Sequence, residues 1–465
     1  MRFVQIKFRC LSLCTVIVVS LGGCLAIDYT PIDQQPFYHR TEQTLSTLAR
    51  KAPGEHPRGP LRIGTAKIEI TPPVGFPLAA YGARISTGVH DPIMARALAI
   101  SDSGETVVLV SVELLAVTDD FFYSVSRKVR AAITLPEDHL LIAATHTHSG
   151  PGSLGKRFWE SLAAGPYNDG IFDITTTRVA QAAVQAYRRL RPANVAYGRV
   201  DAGDRILNRM IKGGPTDPEL SFLVFKTSEG QPLAYLVNFS AHPTVLRSEN
   251  RLMSGDFPGV VSRVLEGQGK PEDPEIVALY ISGAVADQRP HPPDGKGVFE
   301  RAEGMGRDLA ERILTAGAPR PSQDFVDISS RMIWTELPPA QIKLNPTHRW
   351  PDWMGRALLD DTAPIQVIRI GRTLLLGVPC DLGSEIGLRL KQYARSKGFD
   401  AMVVGFTDGY IGYVISDPYY ASPTYEAFMS FNGPYMEDYF THILERMMDG
   451  LILSPGDLSH DRSPQ

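Results

Sequence analysis

The chain has 465 residues, 43% hydrophobic and 21% charged, with a formal net charge of −4. Length and composition suit one large globular domain or two medium ones. No basic block stands out, which argues against nucleic acid as a partner.

The first 24 residues read as a separate unit. Arg2, Lys7 and Arg9 precede the apolar run "LSLCTVIVVSLGG". The run is too short to span a membrane and ends in small residues, the pattern of a secretory signal. "LGGC", Leu21 to Cys24, resembles a bacterial lipobox, in which the cysteine is lipidated and becomes the mature N-terminus. Residues 1–23 are then a signal peptide. Leu25 rather than Asp follows the cysteine, so the expected address is the bacterial outer membrane or cell surface. The alternative is an ordinary cleaved signal with a chance cysteine. Cys10 and Cys14 lie inside the leader. Acylation of Cys24 therefore leaves Cys380 alone, and no disulfide framework is expected. Residues 24–60 are polar and Pro-rich and read as a tether with one short helix near 41–52. Residues 453–465 read as a disordered tail.

From residue 61 apolar, β-branched runs predict strands: "LRIGTAKIEI", "MARALAI", "TVVLVSV", "HLLIAAT", "LAYLVNF", "EIVALYISG", "PIQVIRI", "TLLLGVP" and "AMVVGF". Helical periods lie between them: "DDFFYSVSRKVRAAI", "TTTRVAQAAVQAYRRL", "FPGVVSRVLEG", "FERAEGMGRDLAERILTAG", "SEIGLRLKQYARSKG" and "MEDYFTHILERMMDG". The fold class is α/β, a mixed β-sheet core flanked by helices in one domain over residues 61–452. No internal repeat is visible in the sequence.

Five of these runs end in chemistry. "HLLIAAT" leads to His146 and His148, "LAYLVNFSA" to His242, "IVALYISGAVA" to Asp287, "TLLLGVPC" to Asp381, and "AMVVGFTDG" to Asp408, Tyr410 and Tyr413. Ligands of α/β sheets bind beyond the carboxyl ends of strands, so one shared site is the economical reading. His146 and His148, two apart on a strand, would face one pocket, one as a metal ligand and the other as an acid–base group. Alternatively they are two satisfied structural histidines. His242, taken alone, reads as structural; with His146 and a carboxylate it completes a zinc site with an open position. Asp381 and Glu385 fit charge compensation at a helix N-terminus as well as a site role. Tyr410, Tyr413 and Tyr425 taken singly are packing residues, and Arg209 taken singly makes a surface ion pair.

The stretches "RIGTAKIEITPPVG", "THTHSGPG", "LNR", "FSAHPT…SGD", "VPCDL…GLRL" and "YIGYV…YEA…NGP" occur in the order seen in neutral ceramidases. Residues 61–452 resemble the catalytic domain of that neutral/alkaline, non-lysosomal family. The resemblance implies a secreted or membrane-associated zinc amidohydrolase that splits ceramide into a sphingoid base and a fatty acid. It places the zinc ligands at His146, His242, Asp381 and Tyr413, and further catalytic groups at His148, Arg209 and Tyr425. Three departures matter. Asp381 stands where the family has glutamate. Arg289, in "ADQRP", stands where the family has a serine assigned as a nucleophile. The chain ends soon after "NGPYMEDYF", without the family's C-terminal β-sandwich.

The mechanism expected from these residues is attack by zinc-activated water on an amide of a small amphipathic or lipid-like substrate. His148 would relay the proton, Tyr425 would donate to the oxyanion and Arg209 would orient the substrate. Asp256 and Asp287 are expected to support the metal histidines. Arg289 is expected at the pocket rim, favouring anionic or polyhydroxyl heads, or else in an ion pair with Asp287. Two other readings stand: an esterase or deacylase for a non-sphingolipid substrate, and a non-catalytic surface lipoprotein that binds lipid or glycan. No protein partner is implied.

Overall fold

After an N-terminal helix, α1 (Pro36–Arg50), three stretches of the chain repeat one strand pattern. The computed structural model describes residues 24–50, 59–82, 84–268, 275–316 and 323–452. The expected signal peptide and the expected tail lie outside the described residues.

In the first stretch β1 (Arg62–Glu69), β2 (Met94–Ser101) and β3 (Thr106–Val112) form an antiparallel meander. Helix α2 (Asp119–Arg130) then crosses to β4 (Leu140–Ala144), which runs parallel to β3. The short α3 (Phe158–Ala164) and the long α4 (Asp169–Arg188) follow. The second stretch repeats this with β5 (Asn194–Asp201), β6 (Glu219–Lys226) and β7 (Pro232–Phe239). Crossover helix α5 (Asp256–Glu266), parallel strand β8 (Val277–Ser282) and closing helix α6 (Val298–Thr315) complete it. The third has β9 (Ile328–Glu336), α7 (Asp352–Leu358), β10 (Thr362–Ile370) and β11 (Thr373–Gly377), then crossover helix α8 (Ser384–Ser396), parallel strand β12 (Asp400–Val404) and closing helix α9 (Met436–Ile452). Parallel neighbours need a long crossover, and in each unit a helix supplies it.

The fold is therefore α/β, with three mixed sheets rather than one. Their inner faces share a core in which Leu98 and Leu141 of the first unit meet Leu223 and Leu279 of the second and Leu375 and Met402 of the third. Helices cover each outer face: α2 and α4 through Phe121 and Val179, α5 and α6 through Phe257 and Leu309, and α8, α9 and α1 through Ile386, Phe440 and Phe37. Burying side chains of this size stabilises by about 1.5–3 kcal/mol each. The repeat escaped the sequence reading because what recurs is a hydrogen-bonding order, which many apolar patterns satisfy. Strands β5, β6 and β9 lie outside the expected set.

Local sequence sets the crossovers. In α2 the Thr118 side chain accepts from the Phe121 N–H, Asp119 and Asp120 occupy the first turn, and Arg127, Lys128 and Arg130 the last. Cap and charges both suit the helix dipole. Phe121, Phe122, Val125 and Val129 form its buried stripe. Two buried ion pairs join units: Arg96 of β2 to Glu266 of α5 at 2.7 Å, and Lys391 of α8 to Asp217, just before β6, at 2.7 Å.

The described part of the expected tether lies on the domain. Leu25–Ala26 pairs with His348–Arg349, Phe37 and Leu45 of α1 are buried, and the Thr41 hydroxyl lies 2.6 Å from that of Tyr439. The segment is polar on average, but its apolar residues recur at helical spacing and cover α9. Cys24 is exposed and Cys380 buried, both as free thiols. Among the described residues no helix is long and apolar enough to cross a membrane.

Candidate metal centre

The three parallel pairs deliver side chains to one place. Just beyond β4 come His146 and His148, beyond β7 His242, beyond β11 Asp381, and beyond β12 Tyr410 and Tyr413; Asp408, also beyond β12, turns back to accept from the Ile142 N–H inside β4. The expected pleat geometry of His146 and His148 does not hold. β4 ends at Ala144 and His146 has φ +64°, so a left-handed turn rather than a strand face brings the two rings together. Left-handed residues without glycine also recur at Ala80, Tyr81, Asp256, Phe406 and Asp408. Such conformations are strained and cluster where a site over-determines them.

The Nε2 atoms of three histidines converge. His146 and His242 are 3.0 Å apart, His148 and His146 3.2 Å, and His148 and His242 3.1 Å. Two rings are held in one tautomer: His146 Nδ1 donates to the Leu115 carbonyl at 2.6 Å, and His242 Nδ1 to the Val285 carbonyl at 3.3 Å. Both then aim an Nε2 lone pair at the same point, which is repulsive until a cation binds there. Phe406 stacks on His146 with 3.8 Å between centroids. Burial pushes His146 down to about 3, with the Arg209 charge adding to it. Burial likewise holds His148 and His242 well below the ordinary imidazole range.

Asp381 supplies the carboxylate. Its Oδ2 accepts from the Tyr410 hydroxyl at 2.8 Å. Its Oδ1 lies 3.5 Å from His146 Nε2 and, though fully buried, accepts no hydrogen bond from the described residues. Burial raises this carboxyl to about 7, against the opposing pull of the Tyr410 hydrogen bond and Arg209. An orphaned carboxylate oxygen beside converging imidazole lone pairs is a donor set that fits a divalent metal. The three histidines alone form a group able to hold an ion.

Tyr413 stands beside Asp381, on a strand whose Tyr413–Val414 pairs in parallel with Asp381–Leu382. Its hydroxyl accepts from Arg209 Nη2 at 3.1 Å. Arg209 is not a surface residue: its Nε lies 2.7 Å from Glu426 Oε1, which is buried. Tyr425 packs edge-on against Tyr413 at 5.6 Å and is 61% exposed, so it stands at the mouth. Glu385 lies outside this cluster, its Oε1 3.5 Å from the Tyr419 hydroxyl. Three groups missed by sequence reasoning complete the site: Phe406, Tyr81, whose ring lies 4.9 Å from His148, and Arg84. Arg84 donates to the carbonyls of His148, Ala79 and Asn250, which fixes the His-Thr-His turn. The run of small residues around "AAYGAR" was the only available signal.

Asp256 and Asp287 do not touch the imidazoles. Asp256 accepts from the Leu246 and Phe257 N–H groups. Asp287 accepts from Ser384 and Asn208, and its carbonyl accepts from the Arg209 N–H. Backbone carbonyls, of Leu115 and Val285, perform the orienting task expected of these acids. Arg289 is exposed, in register with Leu207, and Asp287 is already committed elsewhere.

An apolar cavity of about 360 Å³ adjoins the centre. Its wall includes Leu115 and Tyr410, which hold His146 and Asp381, together with Trp159, Leu358, Met429 and Phe431. The mixed-sheet α/β domain thus sets a donor group able to hold a metal ion beside an apolar cavity.

Comparison with known proteins gives the family. The sequence profile described as neutral/alkaline non-lysosomal ceramidase, N-terminal, matches residues 61–294, and the chain belongs to that family. The neutral ceramidase of Pseudomonas aeruginosa is 22% identical over 482 residues, covering 84% of this chain and 72% of that protein. Neutral ceramidase 2 of Arabidopsis thaliana is 25% identical, over 48% of this chain and a third, 33%, of its own length. The crystal structure of the Pseudomonas aeruginosa enzyme superposes with a TM-score of 0.77 at 21% identity, covering 85% of this chain and 75% of that one.

Proposed function

We propose that this chain is a zinc-dependent hydrolase that cleaves the N-acyl amide of a lipid-like substrate. The observation that carries the reading is the meeting of three imidazole nitrogens and a partnerless buried carboxylate oxygen at the edge of an apolar cavity. His146, His242, Asp381 and Tyr413 would hold the ion. Aspartate is shorter than the family's glutamate, but zinc accepts its oxygen equally. Bound there, zinc supplies a Lewis acid that polarises an amide carbonyl and acidifies water.

The chain's own groups supply the rest. His148 Nδ1 has no partner among the described residues, so no carbonyl locks its tautomer. It is the ring suited to take a proton from water at Nε2 and return it to the leaving nitrogen. Tyr425 donates its hydroxyl to the oxygen on which charge develops; losing one such donor typically costs about 10²–10³ in rate. Arg209, tied to Glu426, holds the Tyr413 hydroxyl in place. The cavity receives the acyl chain and excludes water. Attack by water needs no side-chain nucleophile, so Arg289 in place of the family's serine is compatible with turnover. Its exposed guanidinium favours heads with a carboxylate, a phosphate or several hydroxyls. Anchoring through an acylated Cys24 belongs to the same reading.

The test is metal analysis of the purified protein, followed by N-acyl substrates that include ceramide. One zinc per chain and zinc-dependent release of fatty acid are expected. A zinc-loaded protein that releases nothing from any N-acyl or ester substrate overturns the assignment.

A further inference from the structure

Two short helices flank the apolar cavity and turn apolar side chains the wrong way. Trp159 and Ala163 of α3 line the cavity. One residue earlier at each step, Phe158 and Leu162 face solvent at 64% and 55% exposure. None of the seven residues of α3 is buried. Across the cavity α7 ends in the lining residue Leu358 and exposes Trp353 at 54%. Arg157 ties the helices together, pairing with Asp119 and with Asp360 just beyond α7. A smaller cavity lies directly between them, lined by Phe158, Ala357 and Leu358.

The start of the described chain lies at this face. Leu25 is opposite Arg349, and Arg349 opposite Lys343, which lines the large cavity. Two strand spacings, about 10 Å, therefore separate Leu25 from the cavity wall. Arg349 also pairs with Asp352, the first residue of α7. Cys24, where the described chain begins, precedes Leu25 on this edge.

We propose that α3 and α7 form a docking face for the surface of a lipid bilayer, through which a lipid substrate passes into the cavity. Phe158, Leu162 and Trp353 are amphipathic or apolar groups of the kind that settle at a headgroup boundary. Their helices line the cavity through Trp159, Ala163 and Leu358, and the cavity wall reaches the metal centre through Leu115 and Tyr410, which hydrogen-bond His146 and Asp381. The inference rests on the lipid-amide reading for what enters, but not for what the face binds.

The experiment uses the mature chain from residue 24, produced without the leader and carrying C24S, so that neither leader nor lipid anchor is present, with phosphatidylcholine vesicles. The parent should co-sediment with the vesicles. Phe158→Ser with Trp353→Ser should reduce that partitioning tenfold or more, whereas Leu314→Ser, an exposed apolar residue on α6, should not. The conservative pair Phe158→Leu with Trp353→Phe should retain most of the binding, which separates docking from misfolding. Hydrolysis of a water-soluble short-chain N-acyl substrate should be unchanged by the serine pair, and hydrolysis of a long-chain substrate embedded in vesicles should fall about tenfold. Equal partitioning of the parent and the serine pair overturns the proposal, as does a parent that ignores vesicles. Vesicle binding lost in the serine pair without hydrolysis in any protein keeps the docking face and overturns the amidase reading.

Discussion

His148 differs from His146 and His242 in what holds its ring. The other two are fixed through Nδ1 by backbone carbonyls, and His148 Nδ1 is not. We expect His146→Ala and His242→Ala to purify with little zinc. His148→Ala should keep at least half its metal while kcat falls about 10²–10⁴-fold, the range of a lost acid–base group. Loss of metal from His148→Ala, measured by elemental analysis, would make it a ligand. A second expectation concerns Arg289. Arg289→Ser should preserve turnover but reduce the preference for anionic over neutral heads, read as a ratio of kcat/KM values. The principal groups were legible because each follows an apolar run with a residue type that metal chemistry uses. Phe406 and Arg84 were not, because a phenylalanine after a strand and an arginine in a small-residue loop have no local mark of what they touch. The same holds for the carbonyls of Leu115 and Val285, since every residue has one.

Elements carry the loops that carry the groups. The Tyr425 turn hangs between the strand Tyr413–Val414 and α9, and Asp417 fastens it by accepting from the Tyr435 N–H. Burial, with Glu437 and Asp438 nearby, raises the Asp417 carboxyl to about 6. A carboxyl raised on folding lends stability below its unfolded value near 3.9 and loses it as pH rises through the folded one. Asp417→Asn should therefore raise the melting temperature at pH 8 and leave it nearly unchanged at pH 4. An equal gain at both values would remove the carboxyl from the account. At this scale the strong apolar runs were readable, as was the crossover helix α2; its Thr118 cap came from the structure. β5 and β9, with Gly198 and Arg199 in one and Ser329, Ser330 and Arg331 in the other, offer weak alternation, and their strand character comes from neighbours. α1 was half-read: its helix was expected, its docking against α9 was not, because only the partner face shows where an apolar stripe belongs.

On the scale of the whole molecule, three units meet through a shared core and two buried ion pairs. Lys391 and Asp217 are each 1% exposed at the side chain. Removing one partner strands the other charge, so Lys391→Met should destabilise by about 3–5 kcal/mol in denaturant titration. Replacing both partners by apolar residues should restore much of that loss. Single-domain α/β texture was evident from the sequence; the threefold repetition was not, since the units share topology without shared residues.

That repetition gives the metal centre a second meaning. The proposed donors span all three units: His146 from the first, His242 from the second, Asp381 and Tyr413 from the third. His146 and His242 are 96 positions apart, and Asp381 is farther still. An ion gripping all three acts as a rivet, closing two long loops much as a disulfide would; a bridge across a loop of about 100 residues is worth about 4.7 kcal/mol in the chain-entropy account. Chelation should then do more than stop catalysis. It should lower the melting temperature by several degrees and open the seams between units to protease. Zinc should reverse both, even in a His148→Ala protein that no longer turns over. Endurance and reactivity would share one ion, and a host starved of zinc would lose the protein itself.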